Sequence, residues 1–153
     1  MPKTPIDYSK AVIYSIVCKT DDTLLYIGST TGFSKRKNKH KRACINETIE
    51  GHNRPVYVMM RANGGWDSFD MKPVKEFPCD NKIQLVIEEE RIRKEMNANL
   101  NTLRAYTTPT EHKEDKRKYD INYRKEHKEK ICDLKQKQYK EHKEQIAEKK
   151  QNI

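Results

Sequence analysis

Two short runs rich in β-branched and aromatic residues, AVIYSIVC at 11–18 and LLYI at 24–27, lie on either side of Asp21 and Asp22. Apolar runs this short, bounded by charge and joined by an acidic turn, fit the two strands of a hairpin. Gly28 follows the second run and is expected to stop it, by taking a positive φ or by letting a phosphate or backbone approach closely. After a polar loop, Lys35, Arg36, Lys37, Lys39, Lys41 and Arg42 crowd around His40. Ser34 is placed to cap a helix from 35 to about 49, with Ala43, Cys44 and Ile45 turned to the core and the lysines outward.

Further along, residues 56–62 (VYVMMRA) read as the end of a short helix closed by Asn63, Gly64 and Gly65. Trp66, Phe69, Met71, Val74 and Phe77 suggest a third strand, which Pro73 assigns to a sheet edge or a bulge. Asp80 is positioned to cap another helix through IQLVIEEERIRKEM, with Ile83, Val86, Ile87 and Met96 recurring at helical spacing. NANLNTLRAY then reads as a non-helical return across the core that turns Leu100 and Leu103 inward.

The chain divides by composition into a lead-in at 1–10, a compact domain at 11–106 and a charged tail at 107–153. Thr107, Thr108, Pro109 and Thr110 look like a hinge or a helix cap. The tail carries an imperfect repeat, YRKEHKEKI at 123–131 and YKEHKEQI at 139–146, and a sparse apolar stripe of Tyr119, Tyr123, Ile131, Leu134, Tyr139 and Ile146. It reads as one long solvated helix or a broken pair. Either it is a weakly folding charged tail, or a helix that follows a nucleic-acid backbone; a sustained coiled-coil pattern is missing.

A net charge of +9 favours a polyanionic partner such as nucleic acid, with a lysine-rich solubility balance as the plain alternative. No run is long and apolar enough to cross a bilayer, and the first ten residues lack the apolar stretch of a secretory signal. Cys18, Cys44, Cys79 and Cys132 are scattered without a CxxC pair, which gives only weak support for zinc and none for a disulfide framework. Each is expected to be a small buried or half-buried hydrophobe, in a protein that is intracellular and not secreted.

Several side chains could carry chemistry. Tyr14 and Tyr26 fall in adjacent strands, and a tyrosine among cations would become more acidic and able to deprotonate water. Ordinary half-buried strand tyrosines would look the same. Arg36 and His40 are one turn apart, pairing a guanidinium fork suited to phosphate with a group that titrates near neutrality. Glu88, Glu89 and Glu90 cannot all face inward, so at least one is expected to be merely solvated. One inward glutamate is enough for a hydrated Mg²⁺ that also binds substrate phosphate. Asn101 is placed to anchor the site by hydrogen bonding, or to satisfy local backbone.

Taken in order, these residues resemble the GIY-YIG nuclease superfamily, and within it the small virus- and phage-type members with a repetitive lysine-rich tail. The first motif stands as Val12-Ile13-Tyr14, with valine where the family usually has glycine, and the second as Tyr26-Ile27-Gly28. The family's helix arginine falls on Arg36 and the His or Tyr a turn later on His40. Its metal-binding glutamate falls on Glu89, twelve residues before Asn101, with Glu88 the runner-up. The resemblance implies an α/β (α+β) domain with a central three-stranded antiparallel sheet flanked by helices, followed here by the charged helical tail. It also implies DNA phosphodiester hydrolysis with a single divalent ion, Mg²⁺ or Mn²⁺. In that picture Glu89 holds the metal, Arg36 stabilises phosphate charge, and Tyr14, aided by Tyr26 or His40, helps generate the attacking water. Lys35, Lys37, Lys39, Lys41 and Arg42 would contact the DNA backbone. The expected partner is DNA, without a membrane or an obligate protein partner.

Overall fold

The hairpin forms as strands β1 (Val12–Cys18) and β2 (Leu25–Thr30), antiparallel, with Tyr14 opposite Gly28 and Ile16 opposite Tyr26. Asp21 shapes the turn, its carboxylate accepting from the Thr23 backbone N–H at 3.0 Å and the Thr23 hydroxyl at 2.6 Å. The computed structural model describes residues 5–151, with side chains as far as Lys143; Pro2 of the lead-in and the side chain of Ile146 lie outside the described residues. Gly28 does not end the strand and has no positive φ. Its missing side chain is filled from across the sheet, because a Cβ there would stand 2.5 Å from the Tyr14 hydroxyl oxygen.

Helix α1 runs Phe33–Ile45 and is capped by Gly32, not Ser34; it stops at Asn46, whose side chain turns to bind Thr48. Ile45 is 60% exposed, so the helix buries His40, Ala43 and Cys44 instead of the expected Ala43, Cys44 and Ile45. Helix α2 (Pro55–Ala62) has its proline in the first turn, where no N–H is needed. Trp66 belongs to a single 3₁₀ turn that leads into strand β3 (Phe69–Glu76), and is not part of the strand. β3 pairs with β1, giving the antiparallel order β2-β1-β3. It is an edge strand and it is bulged: Ile13 faces Lys75 and Tyr14 faces Pro73, leaving Val74 unpaired.

Helix α3 (Lys82–Glu95) is capped by Asn81, whose carboxamide oxygen accepts from Ile83 and Gln84; the expected Asp80 lies one residue too early. Its buried residues are Leu85, Glu90 and Ile92, while Ile83, Ile87 and Met96 are exposed and Val86 is half-buried. After the helix, the return segment docks on the free edge of β2. Asn99 Oδ1 accepts from the Leu25 N–H at 3.2 Å and Leu100 N–H donates to the Leu25 carbonyl at 3.0 Å. Leu100 is buried, but Leu103 is 82% exposed and not turned inward.

The central strand is covered on both faces. Tyr14, Ile16 and Cys18 pack with Ala43, Cys44, Val56, Tyr57 and Met60 of α1 and α2. Ile13 packs on the opposite face with Leu25, Ile27, Leu85 and Ile92. The alternation of β1 thus builds both layers from one strand.

Contacts separate the residues up to Tyr106 from those from Thr107 onward. The second unit is a broken pair of helices, α4 (Pro109–Glu126) and α5 (Lys128–Gln151), interrupted at His127. Thr108 opens α4 with a capping box: its hydroxyl accepts from Glu111 N–H, and the Glu111 carboxylate accepts from Thr108 N–H. No residue of α4 is buried. Cys132 is exposed, unlike the buried Cys18 and Cys44 and the half-buried Cys79.

Candidate active site

The register that places Tyr14 across from Gly28 also lets its ring reach the first helix. The Tyr14 hydroxyl receives a hydrogen bond from Arg36 Nε at 2.9 Å and shares one with His40 Nε2 at 2.8 Å. The other ring nitrogen of His40, Nδ1, is 3.0 Å from the Tyr57 hydroxyl of α2. Tyr26 completes the aromatic packing, its ring centroid 5.8 Å from His40 and 6.4 Å from Tyr14. His40 is 2% exposed and Tyr14 wholly buried, so neither is the solvated helix face or half-buried strand position their sequence context allowed.

Burial governs protonation here. It raises the Tyr14 and Tyr26 hydroxyls above the ordinary tyrosine value, overriding the neighbouring Arg36 that alone would acidify them. The expectation of cation-acidified tyrosines is therefore reversed. Burial, with the charges of Arg36 and Arg54 behind it, pushes His40 down to about 3. A neutral imidazole has one N–H and one lone pair, so His40 donates to one tyrosine and accepts from the other.

Glu89 sits on the same helix face as Leu85 and Ile92, where helical spacing would put another apolar residue. Its carboxylate accepts from the Ser29 hydroxyl at 2.5 Å, and burial raises its pKa against the opposing pull of Ser29 and Arg36. Its neighbours are held elsewhere. Glu88 pairs with Lys75 at 2.7 Å and Arg91 at 2.8 Å, which hold it down to about 2. Glu90 is buried against Arg93 and accepts from the Ala105 N–H. All three glutamates are engaged, so none is merely solvated.

A cleft of about 430 Å³ at the β2 edge is lined by Tyr26, Arg36, His40, Arg54, Tyr57 and Glu89, together with the return segment from Leu100 to Ala105. Tyr14 stands behind this wall, not in it. Asn101 clasps Ile27, donating from Nδ2 to its carbonyl at 2.7 Å and accepting from its N–H at 2.8 Å, so it holds the strand on which Tyr26 stands. Of the basic residues on α1, Lys39 and Arg42 line a groove that also includes Arg36. Lys37 and Lys41 lie about 100° and 140° around the helix from Arg36, on the side away from that groove, and Lys35 does not line it although it is on the groove's side; all three are exposed. Arg54, Tyr57 and Ser29 were not legible as site residues. Only Ser29, next to the second motif, carried any signal.

Among the described residues no three His, Cys, Asp or Glu side chains group as a metal cage. A lone carboxylate in a cleft opposite a guanidinium suits a hard cation that takes most of its other ligands from water and phosphate. Glu89 fits such an ion; Glu88, committed to Lys75 and Arg91, does not. No helix among the described residues is long and apolar enough to cross a membrane.

No curated protein matches the chain. Among solved structures, the catalytic domain of the homing endonuclease I-TevI is similar, with 22% identity and a TM-score of 0.50, over 60% of this chain and 94% of that one. At that identity the likeness is one of fold. Residues 10–104, well over half the chain and the span from β1 into the return segment that lines the cleft, match the GIY-YIG catalytic domain. The chain belongs to the GIY-YIG superfamily.

Proposed function

We propose that the protein is a metal-dependent endonuclease that hydrolyses DNA phosphodiester bonds at the cleft between Arg36 and Glu89. The observation that carries this reading is the convergence of Tyr26, Arg36, His40 and Glu89, from β2, α1 and α3, on one concavity. Hydrolysis adds water to phosphorus, breaks a P–O ester bond and requires the water's proton to be taken up. Arg36 is anchored through Nε to Tyr14, which aims the rest of its fork at a phosphate in the cleft. Glu89 would hold a single Mg²⁺ or Mn²⁺, which supplies Lewis-acid stabilisation of the phosphate oxygens when bound. Ser29 fixes the orientation of that carboxylate.

Proton uptake falls to the hydroxyl–imidazole network. His40 is kept neutral by burial and by the charges of Arg36 and Arg54. A bound phosphate offsets those charges and moves the imidazole pKa back toward its ordinary value, so His40 gains basicity when substrate is present. Tyr14 bridges Arg36 and His40 as a neutral hydroxyl.

Plasmid nicking in Mg²⁺ or Mn²⁺ tests the proposal. Glu89→Gln and Arg36→Ala are each expected to lower the rate by about a hundredfold or more, as for loss of a group that stabilises transition-state charge. Glu88→Gln should cut at close to the parent rate. A parent protein that cuts no DNA across a broad range of pH and both ions would end the nuclease reading. The second reading is a DNA-binding module without catalysis, favoured by the complete burial of Tyr14 and the valine at position 12. It predicts a parent that binds DNA and leaves it uncut.

A further inference from the structure

The cleft has a neighbour. On the outer side of α1, Arg36, Lys39 and Arg42 line a groove completed by Ile49, Glu50, Arg54 and Tyr57. Arg36, Arg54 and Tyr57 line both depressions, so cleft and groove share a wall. Arg54 is exposed, and its guanidinium makes no hydrogen bond or ion pair among the described residues. Its stem is nevertheless placed: it lies over Gly51, where any Cβ would stand 3.0 Å from Arg54 Nε and 3.4 Å from Cδ. Its backbone is pinned at both ends, the N–H to the Gly51 carbonyl and the carbonyl to the N–H groups of Tyr57 and Val58. A positioned guanidinium without a partner among the described residues, on the rim between the carboxylate cleft and a cationic groove, is suited to an oxyanion whose two free oxygens its fork can engage, as a phosphodiester offers.

We infer that Arg54 binds the phosphodiester next to the one held by Arg36, so that cleft and groove take consecutive phosphates of one DNA strand. This rests on the nuclease reading of the cleft and extends it to how the substrate lies. Lys39 and Arg42 continue the same path as point and fork donors, while Lys37 and Lys41 face away from it. Glu50 is the one acidic side chain in the groove lining and opposes the phosphate there. Contacts of this kind engage a strand by its phosphates, and the recognition they provide is independent of sequence.

The test measures affinity of the full chain for a duplex oligonucleotide by fluorescence anisotropy, in a Glu89→Gln background, from about 50 to about 300 mM salt. Arg54→Gln is expected to lower affinity severalfold and to reduce the slope of log K against log salt by about 0.9, the value of one neutralised phosphate. Arg54→Lys should keep the slope. Glu50→Gln should tighten binding; binding that is unchanged or weaker would count against the groove. An Arg54→Gln slope equal to the parent's, with an unchanged urea melt, overturns the inference even if the protein cuts DNA. If instead the otherwise unaltered protein binds but never cuts, the nuclease reading falls while the slope still reports on Arg54. No DNA binding at all would sink both.

Discussion

His40 has a tyrosine hydroxyl on each ring nitrogen and is almost wholly buried, so its protonation couples to folding. In the unfolded chain it protonates near 6.5, and in the folded protein only near 3. Between those values the unfolded state binds the extra proton, so the stabilising contribution is complete above about pH 6.5 and is lost as pH falls toward 3. The ceiling is of the order of 5 kcal/mol. Urea melts at stepped pH should show this slope, and His40→Gln, which can still donate and accept but does not titrate, should flatten it. Glu89 has the opposite sign: its raised pKa makes its ionised form a cost at neutral pH that is relieved on acidification. Gly28 offers a steric test. A methyl group there would meet Tyr14 at 2.5 Å, so Gly28→Ala is expected to cost about 1–3 kcal/mol in a urea melt and to slow cutting by dislodging the hydroxyl that Arg36 holds. Arg36, His40 and Glu89, which the order of the motifs singles out in the sequence, all line the cleft. Arg54 and Tyr57 are not singled out in this way: they enter through the path of the 46–54 loop and the docking of α2, which no local pattern encodes.

Among the elements, the strands were readable and α3 was misread, for a physical reason. β1 alternates between two layers that are both apolar, so its run of β-branched residues marks it directly. The inner stripe of α3 runs Leu85, Glu89, Ile92, with a carboxylate in the middle, and Glu90 is buried beside it. A search for apolar spacing therefore settles on the exposed Ile83 and Ile87 and rotates the helix away from its true face. Buried and cleft-lining charge is what broke the pattern. The N-caps of α1 and α3 lie two residues before the expected Ser34 and one residue after the expected Asp80, since Gly32 and Asn81 compete with them and only the chain's entry direction decides, whereas Thr108 caps α4 within the expected 107–110 stretch. The return segment is more sharply constrained than its irregular composition suggests. Asn101 satisfies both backbone groups of Ile27, and Asn101→Ala would leave that pair without its partner. A loss of about 1–3 kcal/mol is expected, with faster amide exchange at Ile27 as the local readout.

For the molecule as a whole, the composition break near Tyr106 was the clearest large-scale signal, because a stretch with so few apolar side chains has little to bury. Residues 111–153 carry 14 Lys/Arg against 10 Asp/Glu, and α4 buries none of its side chains. A chain ending at Tyr106 is expected to melt cooperatively, to retain cutting, and to bind DNA more weakly with a shallower salt dependence; equal affinity and slope would remove the tail from DNA binding. The sheet itself has only three strands, so both its outer strands face the surroundings unless something prevents it. Asn99, Leu100 and Asn101 occupy the hydrogen-bonding groups along β2. On β3, Pro73 offers no N–H, Val74 bulges from the ladder, and Lys72 and Lys75 flank them with charge. Two copies brought together in concentrated solution thus find no ladder to extend on either side, and the domain resists growing into a continuous intermolecular sheet. Opening the β2 side with the double change Asn99→Ala and Asn101→Ala should reverse this, and light scattering at rising protein concentration would record the resulting self-association.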